Sequence, residues 1–240
     1  MSTAIELRDP SAKEQVKTGG GRPLVYRAKD GKKVPGVTTI LGKFKDPGGL
    51  MHWAWELGTE GKDYRNARDD AGGVGHYAHQ LIDDDIHGRD FSDRPKGMSD
   101  ADVERARAAL KAFREWRDMV RLEIVDTERP LVSEEHRFGG TYDALAIANG
   151  KLVLLDWKTS GGVYTEMVAQ LAAYRQLIRE ALPELQRKDA PDGAILLRVG
   201  KEFGDFHHHS FPSACLDAGW TRFAASKWLY ETDAVLKRMV

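Results

Sequence analysis

Asn149-Gly150 stands between two apolar runs, "RFGGTYDALAIA" (137–148) and "KLVLLDWKTS" (151–160). Both central residues of a two-residue hairpin turn need left-handed backbone, and Asn-Gly supplies it more readily than other pairs. The runs therefore pair as neighbouring strands, 138–148 running down and 151–158 running back. The second run is apolar through Val153, Leu154 and Leu155 and then ends on Asp156 and Lys158. Residues two apart on a strand share a face. Charged groups at the mouth of a core need a task or a partner.

The rest of the chain builds around this hairpin. "LVYRAKDGKKVPGV" reads as a hairpin about Asp30-Gly31, with "TGGGRP" before it as a loop and a Trp-rich helix near "GGLMHWAWELG" after it. Residues 76–87 predict a helix, and 99–121 a clearer one, with Ser99 as N-cap and Asp100 and Asp102 in the first turn. "RLEIVDTERPLV" is a third strand. "TEMVAQLAAYRQLIREAL" is an amphipathic helix, "AILLRVG" and "DFHHHSF" a second strand pair, and the last thirty or so residues a closing helix. Helices, three strands, a helix, two strands and a helix predict one α/β domain, a mixed sheet flanked by helices. The tryptophans Trp53, Trp55, Trp116, Trp220 and Trp228 are expected in the core. The run Asp83–Asp85 reads as a solvated helix face, with Asp83 the exception.

With 41% apolar and 30% charged residues in 240, the chain can bury a sizeable core and stay in solution. It has no apolar run of the ~18 residues a membrane helix requires, and its start lacks a secretory pattern. A cytoplasmic protein, in a bacterial cell or a phage-infected host, is the expectation. Cys215 stands alone, which excludes an internal disulfide and a cysteine-rich cluster site. The net charge of −1 hides an uneven spread: residues 1–48 carry ten Lys/Arg against five Asp/Glu, and 63–102 the reverse, five against ten. Phosphate binding depends on local charge, so a neutral total does not exclude it.

The pattern (D/E)-x-K occurs three times, at Asp30/Lys32, Glu60/Lys62 and Asp156/Lys158. Only the last follows a buried strand and has an aspartate, Asp143, on the strand beside it. Two converging carboxylates raise each other's pKa unless a cation lies between them. Oxygen ligands suit a hard ion such as Mg²⁺ or Mn²⁺, and Lys158 beside it could activate a water or stabilise charge on a phosphate. A strand-end salt bridge would use the same residues.

"GGTYD", "LLDWKTS" and "QLAAY", in that order, resemble the PD-(D/E)XK nuclease superfamily, and most closely its RecB-like exonuclease branch, which includes phage members. The resemblance spans roughly residues 24–200 and implies a restriction-endonuclease-like α/β fold. It also implies a metal-dependent DNA exonuclease of recombination, repair or processing, hydrolysing phosphodiester bonds with one or two Mg²⁺ or Mn²⁺ ions. In that branch G-x-x-D and D-x-K supply two ligands and the lysine, here Asp143, Asp156 and Lys158. Q-x-x-x-Y, here Gln170 and Tyr174, supports the site and the nucleic acid. G-x-x-x-H followed by an acid one turn later matches Gly75, His79 and Asp83, with His79 as third ligand and His76 close to that face. Trp157 points to the other face as a packing residue and, standing between the ligands, is counted with His79, Asp143 and Asp156 in the metal set. Glu128 falls where many members carry a strand glutamate.

The domain division that follows is a leading segment 1–60, a nuclease core 72–200 and a C-terminal strand and helix 201–240. Linear DNA with single- or double-stranded ends is the expected partner, with a single-strand annealing or recombination protein as a further one. Arg22, Arg27, Lys32 and Lys33 are candidates for phosphate contacts, and Trp53 or Trp55 for stacking on an unpaired base. One cysteine leaves no iron–sulfur cluster to expect, and the absence of G-x-x-x-x-G-K-[ST] no ATP-driven motor. A restriction-type endonuclease and a non-catalytic nucleic-acid binding module are the competing readings.

Overall fold

The computed structural model describes residues 24–182, 193–200 and 204–240; Arg22 and the "TGGGRP" loop lie outside the described residues. The N-terminal half runs β1 (Tyr26–Arg27), β2 (Lys33–Val34), α1 (Val37–Gly42), α2 (Gly48–Thr59), α3 (Tyr64–Ile86) and α4 (Asp100–Val120). Five strands follow: β3 (Glu123–Thr127), β4 (Pro130–Ser133), β5 (Phe138–Thr141), β6 (Ala144–Ala148) and β7 (Lys151–Lys158). The chain closes with α5 (Thr165–Ala181), β8 (Ala194–Val199), β9 (Phe206–Phe211) and α6 (Ser213–Leu236).

Asn149 (φ 50°) and Gly150 (φ 77°) both take left-handed backbone, and the turn sets Ala148 opposite Lys151. β6 and β7 thereby enter a five-stranded sheet of order β3-β6-β7-β8-β9. β7 and β8 pair in parallel, joined through α5, and the other neighbours are antiparallel. This is the mixed α/β sheet flanked by helices that the sequence predicts.

The three strand-like runs are in fact five strands. "RLEIVDTERPLV" divides at Glu128, whose φ of 49° turns the chain, and "RFGGTYDALAIA" divides at Tyr142 and Asp143. The outer pieces, β4 and β5, pair with each other in a separate two-stranded sheet, while β3 and β6 stay in the main one. Both sides of each break bury apolar side chains, so the hydrophobic pattern runs through the bend without marking it.

Core packing splits at the sheet. One face carries Leu145, Leu154 and Leu196 against α1, α5 and α6; the other carries Ala146, Leu155, Trp157 and Leu197 against α3 and α4. Leu154 and Leu155 fall on opposite sides, as successive strand residues must. Trp116 and Trp157 are fully buried, and truncating such a ring costs roughly 3–5 kcal/mol. Two other tryptophans contradict the expectation: Trp55 and Trp228 are each 65% exposed, because each sits on the solvent side of its helix.

Helix α3 starts at Tyr64, well before the predicted 76, capped by Asp63 accepting from the Arg65 N–H. It packs with α4 on one face of the sheet. The acidic run at its end is not solvated. Asp84, 4% exposed, accepts from Ser92 N (2.9 Å) and Oγ (2.7 Å) and from Arg89 Nε (3.0 Å). Asp85 holds Arg114 (2.5 Å) and Arg117 (2.7 Å) of α4. Charged partners supplied by the 87–92 loop and α4 make burial tolerable, which the local sequence could not show.

Candidate active site

The break between β5 and β6 places Asp143 at the strand ends. Register pairs Ala144 with Leu155, so Asp143 falls beside Asp156 one step on. The two carboxylates are close enough for the Asp143 charge to be felt at Asp156, and Asp143 Oδ2 accepts the Trp157 N–H at 3.1 Å. Alternation along β7 puts Asp156 and Lys158 on the side of Leu154, facing α5, and Trp157 on the side of α3 and α4. Lys158 Nζ lies 2.6 Å from Asp156 Oδ2.

Asp156 is 1% exposed, and no donor among the described residues reaches its Oδ1. Burial pushes its pKa up to about 6, Lys158 opposing the shift and Asp143 adding to it. Burial also raises Asp143, again against Lys158. For Lys158, burial acts downward, but the Asp156 and Asp143 charges more than offset it, and the ammonium is held above its ordinary value.

The flanking helices bring in the other expected residues. Tyr174, on α5, is buried among the carboxylates, and burial together with Asp156 and Asp143 raises its phenol well above the usual range. Gln170, one turn earlier, donates to the Tyr174 hydroxyl at 2.9 Å. Gly140 makes room for the ring: a Cβ there would lie 2.7 Å from Tyr174 Cε1. On the opposite layer, Gly75 lets α3 approach the end of β7, since a Cβ would meet Thr159 Oγ1 at 2.7 Å.

His79 comes in from this α3 side. Its ring packs 5.9 Å from the Trp157 ring. Burial pulls its pKa down to about 4, Lys158 adding to the fall. A neutral imidazole keeps a lone pair on one ring nitrogen. His76 is exposed, and the Asp83 carboxylate turns to Arg89 and His87 (3.4 Å) rather than toward the strand ends. Among the described residues no three His, Cys, Asp or Glu side chains are already closed around a point where an ion could sit.

Two features escaped the sequence reading. Tyr142 donates to Asp126 Oδ2 at 2.5 Å, and Tyr26 hydrogen-bonds Thr141 Oγ1 at 3.0 Å. Gly139-Gly140 was the available signal for the second, because glycine inside a strand marks close approach by another group. Glu128, half-buried, gives its N–H to the Asp143 carbonyl (3.1 Å), and its charge is felt at Tyr26. Arg27 and Lys33 are exposed cross-strand neighbours on the outer face of the β1–β2 hairpin. Lys32 pairs with Asp30 at 3.8 Å. Trp55 is exposed beside His52, ring centroids 5.9 Å apart, and Trp53 is half-buried.

A family model, that of the PD-(D/E)XK nuclease superfamily, matches residues 23–234. The chain belongs to that superfamily. No curated protein matches it. Among solved structures it is similar to LHK-Exo in complex with dAMP, at 13% identity over 68% of this chain and 82% of that one, TM-score 0.37. An alkaline exonuclease from Laribacter hongkongensis, LHK-Exo, gives 10% identity over 67% and 85%, TM-score 0.32. SSO0001 gives 14% over 65% and 74%, TM-score 0.29. Among the described residues no helix is long and apolar enough to cross a membrane.

Proposed function

We propose that this nuclease is a metal-dependent deoxyribonuclease that degrades linear DNA from its ends. The observation that carries the reading is the buried Asp156 Oδ1, which no donor reaches, set against a second carboxylate, Asp143. A buried carboxylate oxygen without a donor costs free energy unless a cation satisfies it. Two carboxylates in reach of each other sharpen that need. The donor set fits a hard divalent ion, Mg²⁺ or Mn²⁺, held by Asp143, Asp156, the neutral imidazole of His79 and the backbone at Trp157. Such an ion, when bound, supplies Lewis-acid polarisation of a phosphate and a nucleophile at neutral pH.

The chain's own groups do the rest. Lys158, held as an ammonium, neutralises negative charge that develops on the phosphate. Gln170 and Tyr174 keep the wall beside the carboxylates in place for the strand. Arg27 and Lys33 are like charges directly opposite across a hairpin, an arrangement that is unfavourable unless an anion joins them. Backbone phosphates are that anion, contacted without reading sequence.

Purified protein should shorten 5′- or 3′-labelled linear DNA with Mg²⁺ or Mn²⁺ and leave a closed circle intact. Asp143→Asn should lose cleavage, and Ca²⁺ should support DNA binding without turnover, being larger and geometrically looser. Cutting of the closed circle would make the protein an endonuclease. Full activity in excess EDTA would end the metal reading, and metal-dependent binding without any cleavage would leave a binding module.

His79 supplies a second test. His79→Ala should weaken divalent-ion affinity by more than about 10-fold, since a ligand is lost and not only a group that supports one. High metal concentration should partly restore cleavage. His76→Ala should do much less. Metal titrations of the three proteins decide it: an unchanged affinity in His79→Ala, or a larger loss in His76→Ala, removes His79 from the site.

A further inference from the structure

β1 and β2 are two residues each and share two paired positions, Tyr26 with Val34 and Arg27 with Lys33. A hairpin of that size does not hold itself, so its place is set by what it touches. The Tyr26 ring lies over Gly139 so closely that a Cβ there would come 2.3 Å from the ring Cγ. Gly36 faces the ring's other side, where a Cβ would lie 3.1 Å from Cε2. Gly139 N–H donates to the Pro35 carbonyl at 3.0 Å, closing the dock. All of this requires only a ring.

The hydroxyl does something separate. It makes a 3.0 Å hydrogen bond with Thr141 Oγ1, across 115 residues of sequence. Thr141 is the last residue of β5, and the chain then crosses through Tyr142 and Asp143 into the main sheet. The crossover is tethered at each residue: Tyr142 to Asp126 (2.5 Å), the Asp143 carbonyl to the Glu128 N–H (3.1 Å), and Asp143 Oδ2 to the Trp157 N–H (3.1 Å). Thr141 pairs with Pro130 in the β4–β5 ladder, and its hydroxyl is held by Tyr26. Burial keeps the Tyr26 phenol above its ordinary pKa, with Thr141 opposing and Glu128 adding to the rise, so it stays an intact hydroxyl at working pH.

We propose that Tyr26 is a positioning residue whose hydroxyl, through Thr141, sets the Asp143 carboxylate beside Asp156 and so tunes the site's affinity for a divalent ion. The inference rests on Asp143 and Asp156 being ligands, as argued above. Groups that orient a metal's ligands typically change its affinity by about 10–100-fold when lost. Tyr26 acts one step further out, so an effect at the low end, about 10-fold, is expected.

The experiment is Mn²⁺ titration calorimetry on the full chain for wild type, Tyr26→Phe, Thr141→Val and the double variant, with melting curves in EDTA. Each single variant should bind Mn²⁺ about 10-fold more weakly, and the double no more weakly than either single, because both remove one bond. Tyr26→Phe should keep its melting temperature within about 4 °C of wild type, and its cleavage deficit should shrink as Mn²⁺ is raised. Wild-type Mn²⁺ affinity in Tyr26→Phe, or full additivity in the double variant, would reduce Tyr26 to a packing ring. Absence of Mn²⁺ binding by wild type overturns the metal site itself, and that result shows before any variant is made.

Discussion

Lys158→Ala is expected to lower phosphodiester cleavage by about 10²–10³-fold, the cost of deleting one pre-placed charge where negative charge develops. DNA binding in Ca²⁺ and the circular dichroism spectrum should stay close to wild type. The basis is the asymmetry within the pair. Asp156 is 1% exposed and Lys158's side chain 21%, with 2.6 Å between Nζ and Oδ2. Asp156 Oδ1 is left without a donor although Lys158 is in contact with Oδ2, so the lysine does not by itself satisfy the carboxylate. Nor does its loss strand an uncompensated charge. Burial already holds the Asp156 carboxyl near about 6 with the ammonium present, so without it the carboxyl takes a proton at neutral pH. The fold therefore survives the substitution. If the variant instead unfolds, and its residual folded fraction cuts at the wild-type rate, the pair is a strand-end salt bridge.

Much of this site could be read before any coordinates, for reasons that particular residues show. Asn149-Gly150 has few alternatives to a tight turn, so β6, β7 and their register followed from two residues. Periodicity two then put Asp156 and Lys158 on one face, and the same turn carried Asp143 to their side. The helix that carries Gln170 and Tyr174 followed from its amphipathic pattern, while their place at the site came from the resemblance to Q-x-x-x-Y. The turn, strand and helix inferences rest on local geometry, which a sequence states directly.

The bends and the docking contacts did not come through. Glu128 breaks a strand by adopting φ 49°, a conformation that glutamate rarely takes and nothing adjacent announces. Asp84 read as solvated because its partners, Ser92 and Arg89, sit beyond a turn whose path was unknown. Tyr26 was missed as its contact, Thr141, is on a different sheet, although Gly139-Gly140 hinted at a visitor. Long-range pairing of this kind depends on how layers stack, and no single window of sequence contains it.

Asp156→Asn should abolish cleavage and at the same time leave the metal-free protein more stable than wild type at neutral pH. Asp156 has its pKa raised in the fold, from 3.8 to about 6. A group shifted upward contributes its stability in full below the unfolded value and loses it as pH rises through the folded one. Above pH ~6 the ionised carboxylate is thus a net cost, on the order of a few kcal/mol for a shift from 3.8 to about 6 that already includes its attraction for Lys158. Asparagine has no proton to lose. The melting-temperature gap between Asp156→Asn and wild type, measured in EDTA, should therefore open between pH 4 and 6 and stay open at pH 8. Adding Mn²⁺ should raise wild-type stability by mass action and leave the variant nearly unmoved, closing or reversing the gap. A variant less stable than wild type in EDTA at pH 8 would mean that the Asp156–Lys158 pair stabilises the fold. The unpartnered carboxylate oxygen would then have a structural explanation in place of a catalytic one.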